Sequence, residues 1–159
     1  MTDPQKTVAW IESPYNHNQL SCEATLRYAS YCASQIALSE EVNVICPHLT
    51  YGNLPKRLFE SDEKNDKISD KGKKLATCWY PGKTPVWRDY SALRNKCESI
   101  YICADLGVSN GMAKVLEEET RREVIRFEMG GFLIKELTEF KERDAVDQEL
   151  LNYLNNNLC

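Results

Sequence analysis

Short runs of β-branched and aromatic residues alternate along this chain with segments whose apolar residues recur at helical spacing. Four such runs predict strands, at residues 7–11, 43–46, 100–103 and 123–128. A long helical pattern covers residues 19–38, and a shorter one begins at Gly111 or Met112 and continues to about Arg122. Strands that alternate with helices predict an α/β fold with a mostly parallel sheet and right-handed crossovers.

Two further segments surround this alternating pattern. Residues 59–88 begin with a run dense in charge, which predicts a solvated loop or a frayed helix, and continue through two prolines. A helix is predicted from Trp87 or Asp89 to Lys96. The tail at 132–159 alternates apolar and charged residues at helical spacing, which predicts one or two amphipathic helices packed on the core, or a dimer surface. We expect a single domain over 1–159, with 59–88 as a charged insertion.

Composition narrows the classes of function. With a net charge of −4, the chain lacks the excess of basic residues that proteins use to bind duplex nucleic acid. No apolar run approaches the roughly 20 residues needed to span a bilayer, and the polar start does not resemble a signal peptide. The seven cysteines include no CxxC pair and no Cys/His cluster at zinc spacing, and Cys32, Cys46 and Cys103 lie in apolar contexts typical of core thiols. We therefore expect a cytoplasmic protein without a metal, a membrane partner or a duplex nucleic acid partner.

The predicted topology brings three loops to one edge of the sheet, because every strand-to-helix loop of a parallel sheet leaves from the same side. These loops are residues 12–18, 47–52 and 105–111. They contain the chain's two histidines, His17 and His48, each of which serves either a ligand or a structural hydrogen bond. Their convergence predicts a site for a small molecule.

Aromatic residues and a helix start add to this predicted site. Tyr15 and Tyr51 are placed either to stack on a planar base or to pack within their loops. The third loop leads into a helix whose first amides are unpaired and carry a partial positive charge, which suits a polar ligand. The alternative is a plain connection with Ser109 or Asn110 as the N-cap.

Four short motifs occur in order along the chain: WIESPY at 10–15, PHLTYG at 47–52, a Cys-Glu pair before IYIC at 97–103, and SNGM at 109–112. Together they resemble the small nucleoside 2-deoxyribosyltransferase-like proteins, most of all an often phage-encoded branch with Ser-Pro-Tyr, Pro-His-Leu and Ser-x-Gly-Met motifs. The resemblance covers residues 7–52 and about 93–128. It implies a flavodoxin-like (Rossmann-like) parallel sheet, an oligomer, and a nucleoside held at these loops, with no cofactor.

The chain departs from that family at the positions that carry its chemistry. The transferases use a glutamate nucleophile four residues after the motif glycine, and counting from Gly111 this position is Val115. They also place an aspartate two residues before that glycine, where this chain has Ser109. Valine has neither a lone pair nor a proton to transfer, so the covalent mechanism has no nucleophile here.

Two replacements for the missing carboxylate are open. The run Glu117, Glu118 and Glu119 follows on the same helix, but Glu117 points about 200° away from Val115, and a solvated face is the favoured interpretation. Glu12 directly follows the first predicted strand, at its C-terminal edge, where a carboxylate would reach into the site and burial would raise its pKa toward the range of a general acid or base. A structural hydrogen bond or ion pair is the alternative for Glu12.

These observations leave three hypotheses. The first is a nucleoside- or nucleotide-binding protein that recognises or sequesters its ligand without turnover. Its expected ligand contacts are Ser13, Pro14, Tyr15, His48, Asp105, Ser109, Asn110, Gly111 and Met112, with Lys114, Trp79 or Trp87 as further candidates. The second is an N-glycosidic-bond hydrolase or transferase that uses Glu12, His48 or Asp105 as catalytic groups. The third is a scaffold or inhibitor that binds a partner protein.

Overall fold

In this computed structural model, the structure describes residues 7–15, 17–51, 92–139 and 144–158. The chain divides into two compact units, one formed by Met1–Gly52 with Cys97–Cys159 and the other by Asn53–Lys96. The described part of the second unit contains a 3₁₀ helix at Ala92–Lys96, within the segment where a helix is predicted. The predictions for the charged insertion at 59–88, including Trp79 and Trp87, lie outside the described residues.

A four-stranded, wholly parallel sheet forms the centre of the first unit. Its strands are β1 (Val8–Glu12), β2 (Asn43–Ile45), β3 (Ser99–Cys103) and β4 (Glu123–Phe127). Their order across the sheet is β2-β1-β3-β4, and the register places Trp10 beside Ile45 on one side and Ile100 on the other. The predicted α/β, flavodoxin-like class is confirmed.

Five α-helices accompany the described strands: α1 (Cys22–Glu40), α2 (Pro47–Tyr51), α3 (Asn110–Glu118), α4 (Gly131–Glu139) and α5 (Ala145–Leu158). Helix α1 starts three residues later than predicted because the Ser21 hydroxyl accepts the Ala24 amide and caps it. Helix α3 ends at Glu118, before the predicted Arg122. The carboxylate of Glu119 accepts the amides of Arg121 and Arg122 and turns the chain toward β4.

The segment after β2 is a correction to the sequence prediction. Residues 47–52 were expected to form a loop begun by proline, whereas Pro47–Tyr51 form the short helix α2. Proline at the first position of a helix is favourable because its φ is already helical and the missing N–H needs no partner there. His48 therefore lies in the first turn of a helix rather than in an irregular loop.

The main core lies on the face of the sheet that α1, α4 and α5 cover. Leu133, Leu137, Leu150 and Leu154 of the two last helices are all fully buried in it. Burying each leucine contributes about 1.5–3 kcal/mol. The prediction that the tail packs on the core is therefore confirmed for these residues, and a dimer surface stays a prediction. None of the helices that the structure describes combines the length and apolar character needed to cross a bilayer.

The predicted core cysteines are confirmed as buried thiols. Cys32 and Cys103 are fully buried and Cys46 is nearly so, and none of the five described cysteines forms a disulfide. Burial raises the pKa of Cys46 to about 11, so its thiol stays protonated near neutral pH. These residues therefore act as small core side chains rather than nucleophiles.

Candidate functional site

Strand order locates the crevice in which parallel α/β sheets bind ligands. The chain leaves β1 toward β2 on one side and leaves β3 toward β4 on the other, so the connections diverge between β1 and β3. In open parallel sheets, ligands bind at such a switch point, outside the carboxyl ends of the strands. The loops after β1 and β3 are two of the three loops that the sequence predicted to meet.

The loop after β3 is anchored by the carboxylate of Asp105, which is 7% exposed. Its Oδ2 accepts hydrogen bonds from the Tyr28 hydroxyl at 2.5 Å and the Met129 amide at 3.0 Å, and its Oδ1 accepts one from the Gly130 amide at 2.7 Å. The Asp105 amide in turn donates to the Tyr28 oxygen at 2.9 Å. Asp105 thus joins this loop to α1 and to the start of α4, a structural role that the sequence did not predict.

Tyr28 is a hydrogen-bond donor to this carboxylate because it stays protonated. Burial is the largest cause that raises its pKa far above the usual range, followed by the neighbouring Cys32 and Asp105. Asp105 was predicted to be a catalytic and ligand-contacting residue, and both remain predictions. Three donors already surround its carboxylate, so the geometry supports an anchor more than a proton carrier.

His17 connects the two loops at the switch point. Its Nδ1 accepts the Gln19 amide at 3.0 Å, so the ring proton is on Nε2, which donates to the Leu106 carbonyl at 3.2 Å. The ring also meets the edge of Tyr153 on α5, with centroids 5.0 Å apart. The sequence identifies His17 only as one of the two histidines in these loops. Its contact with Leu106, 89 residues further along the chain, could not be predicted from the local sequence.

The end of β1 contains two buried polar side chains with different surroundings. Glu12 is 7% exposed, and its Oε1 accepts the indole N–H of Trp10 at 2.8 Å. Ser13 is 2% exposed, and its hydroxyl has no hydrogen-bond partner among the residues that the structure describes. Leaving a buried polar group unpaired costs about 1–3 kcal/mol, so such a group calls for a functional explanation. Pro14, which follows, is also buried.

An aromatic stack joins the loop after β1 to α2. The rings of Tyr15 and His48 are nearly parallel, at 15°, with centroids 5.3 Å apart. Burial lowers the pKa of His48 to about 4, against the opposite effect of a hydrogen bond with the Ser13 backbone. His48 is therefore a neutral imidazole near pH 7. The side chain of Tyr51, the other predicted stacking residue, is outside those that the structure describes.

The start of α3 is capped by Ser109, one of the two predicted N-caps. Its hydroxyl accepts the Met112 amide at 3.3 Å, and its own amide donates to the Met112 sulfur at 3.5 Å. Two amides of the predicted ligand-binding turn are thus engaged at the helix start. The amides of Asn110 and Gly111 lie in the first turn, before Ala113, whose amide donates to the Ser109 carbonyl. Among the described residues, no atom outside the helix's own backbone and the neighbouring residues lies within 4 Å of the position where a Cβ would lie on Gly111, so their packing does not require glycine there.

The helix position at which the sequence comparison found no nucleophile is apolar and buried. Val115 is 5% exposed, and the neighbouring Glu117 and Glu118 are exposed, as predicted for a solvated face. Glu119 is a correction, because it is largely buried in an ion pair with Arg122 at 3.0 Å. None of the three replaces a carboxylate at Val115.

In the described residues no group of three or more His, Cys, Asp or Glu side chains is arranged to hold a metal ion. Comparison with known proteins gives no significant match to a protein-family model, a curated protein or a solved structure. The class that the structure defines is an α/β protein with a parallel sheet whose switch point lies between β1 and β3. Function has to be inferred from the loops that follow these two strands.

Proposed function

We propose that this chain binds a nucleoside or nucleotide between the carboxyl ends of β1 and β3 and acts by recognition or sequestration. The observation that carries the proposal is the Ser13 hydroxyl, which is buried next to the switch point and has no partner in the described part of the chain. A ligand hydroxyl or carbonyl that pairs with it would recover the free energy that the unliganded protein loses. The nucleoside class rests on the motif resemblance, and the Tyr15–His48 stack supports a planar ligand.

Covalent glycosyl transfer is not part of the proposal. The helix position that would carry the nucleophile is Val115, and the exposed glutamates beyond it point to solvent. Removing a nucleophile costs several orders of magnitude in rate, which a carboxylate elsewhere does not readily restore. Binding without turnover is therefore the favoured activity.

Charge favours a neutral ligand over a phosphorylated one. The described residues of the site segments, at 12–15, 17–21, 46–51 and 104–112, include no lysine or arginine. Glu12 and Asp105 are buried carboxylates there, and His48 is uncharged near pH 7. A phosphate placed near them would find no cationic side chain among these residues, and Lys114, the cationic residue named as a candidate contact, is exposed two residues beyond them on α3. A nucleoside should therefore bind better than its 5′-phosphate.

A thermal-shift screen with nucleosides, their 5′-nucleotides, ADP-ribose and cyclic nucleotides tests this proposal. Each mixture that gives a shift is then incubated and analysed by chromatography. We expect a shift with at least one nucleoside, a smaller shift with its 5′-phosphate, and recovery of intact ligand. Ser13→Ala should reduce the shift, whereas the exposed Ser39, bonded to its own helix at the Gln35 carbonyl, provides the control Ser39→Ala.

Glu12 supports the second candidate, an enzyme that releases a free base. Its carboxylate is buried at the end of β1 and held by the Trp10 indole, the arrangement expected of a positioned general acid or base. Release of free base that Glu12→Gln abolishes would establish this enzyme. Intact ligand after incubation would reject it and leave the binding protein.

The proposal also covers the cellular compartment and the oligomeric state. The free thiols of the described cysteines support a reducing compartment such as the cytoplasm, including a host cytoplasm for a phage-encoded protein. The family resemblance adds a homo-oligomer. If none of the compounds in the screen binds, the scaffold or inhibitor hypothesis takes their place.

A further inference from the structure

Strand β4 forms an edge of the sheet, because β3 is its only strand partner in the part of the chain that the structure describes. The Phe127 carbonyl accepts the Ala104 amide at 2.9 Å, so the backbone polar groups of Phe127 point toward β3. These directions alternate along a strand, so Ile125 also points toward β3 while Val124 and Arg126 point outward. The outer edge of β4 therefore presents a row of backbone donors and acceptors.

The side chains of β4 are less covered than those of the strand beside it. Val124, Ile125 and Phe127 are only partly buried, whereas all the residues of β3 from Ile100 to Cys103 are buried. β-branched and aromatic residues at an open edge are typical of a strand that pairs with another. The two charged residues, Glu123 and Arg126, are exposed.

We infer that β4 pairs antiparallel with β4 of a second copy of this chain, about a two-fold axis that runs perpendicular to the sheet beside Ile125. The inference is independent of the ligand proposed above. Antiparallel pairing about such an axis joins two four-stranded sheets into one and closes the assembly as a dimer. Val124 and Arg126 of each copy then lie opposite each other as hydrogen-bonded pairs, through the N–H and C=O groups that point outward.

Charge selects this register among those that overlap the centre of the strand. An axis perpendicular to the sheet keeps each face continuous, so it must pass beside a residue rather than between two. Centring on Arg126 places that residue opposite itself, and centring on Val124 places Arg126 opposite Arg122 of the second copy. Centring on Ile125 sets no like charges against each other. It places Arg122, which pairs with Glu119, opposite Glu128 of the second copy, which pairs with Arg126 of its own strand.

Light scattering coupled to size exclusion, with the full chain and no ligand, tests the inference. We expect a mass of twice 18.3 kDa for the wild type, with dissociation on dilution. Val124→Pro removes an N–H group that points away from β3, so the hydrogen bonds between β3 and β4 are kept. This variant should be a monomer with an unchanged circular dichroism spectrum. Its control Val124→Thr keeps the N–H and should stay dimeric. A monomeric wild type, or a dimeric and folded Val124→Pro, would overturn the inference.

Cross-linking tests the register even if the proline variant fails to fold. In a non-hydrogen-bonded antiparallel pair the two Cα atoms are about 4.5 Å apart, within disulfide range. Mild oxidation should therefore join two copies of Ile125→Cys into a covalent dimer on a non-reducing gel. Wild type and Val124→Cys should stay unlinked, since residue 124 faces residue 126 of the second copy. Equal linking of both variants, or linking of neither, would contradict the register.

Discussion

Removing the Tyr28 hydroxyl is the sharpest test of how the loop after β3 is held. In Tyr28→Phe the Asp105 carboxylate loses one of its three donors, and the buried Asp105 amide loses its acceptor. A hydrogen bond to a charged group contributes about 1.5–3 kcal/mol, and an unpaired buried amide costs about 1–3 kcal/mol. The two losses share one partner and do not add fully, so we expect a decrease in unfolding free energy of about 2–4 kcal/mol.

Urea unfolding followed by circular dichroism measures this decrease, and a thermal scan should show a fall in Tm on the order of 10 °C. Tyr153→Phe is the matched control, because it keeps the ring that contacts His17 and removes a hydroxyl from a half-exposed position. The control should change the unfolding free energy by less than about 0.5 kcal/mol. If Tyr28→Phe were equally harmless, the hydrogen-bond network around Asp105 would not hold the loop.

Three further predictions concern the site itself. Ser13→Ala removes a buried hydroxyl that has no partner among the described residues. Urea unfolding of the unliganded protein should therefore show unchanged stability or a gain of up to about 1 kcal/mol. A loss above about 1 kcal/mol would show that the hydroxyl is already paired. Gly111→Ala should stabilise α3 by about 0.5–1 kcal/mol in the same assay, because alanine favours the helix and open space surrounds the position. If the ligand approaches the Gly111 backbone closely, the same substitution should weaken ligand binding. A loss of stability would contradict the open space beside Gly111. Because the folded pKa of His48 is about 4 against 6.5 in the unfolded chain, its contribution to stability is full above pH 6.5 and decreases as the pH falls toward 4. His48→Gln should reduce that slope in unfolding curves measured between these pH values, and an unchanged slope would contradict a neutral, partly buried ring.

The strands could be predicted because each is a compact run of β-branched and aromatic residues. The run at 100–103, for example, differs from Ser99–Cys103 by one residue. Helix ends were harder, because side-chain contacts set them. The Ser21 hydroxyl delays α1, and the Glu119 carboxylate ends α3 early. Such contacts depend on which rotamer reaches which amide, and apolar periodicity does not encode that choice.

The location of the site could be predicted from the sequence, but the roles of its residues could not. Parallel strands fix where the loops leave, so residues after β1 and β3 meet from topology alone. Asp105 was predicted to act on a ligand, yet its nearest partners come from Tyr28, 77 residues earlier, and from the start of α4. Nothing in the local sequence signals such long-range bonds. The unpaired Ser13 hydroxyl is likewise visible only once its surroundings are known.

Isothermal titration of the common ribo- and 2′-deoxyribonucleosides, and of their 5′-phosphates, into wild type and Ser13→Ala tests the central claim most directly. We expect at least one nucleoside to bind the wild type more tightly than its 5′-phosphate does. Ser13→Ala should weaken that binding about tenfold, the value of one hydrogen bond, while Ser39→Ala leaves it unchanged. No binding of any nucleoside, or equal binding by wild type and Ser13→Ala, would contradict a nucleoside site at the end of β1.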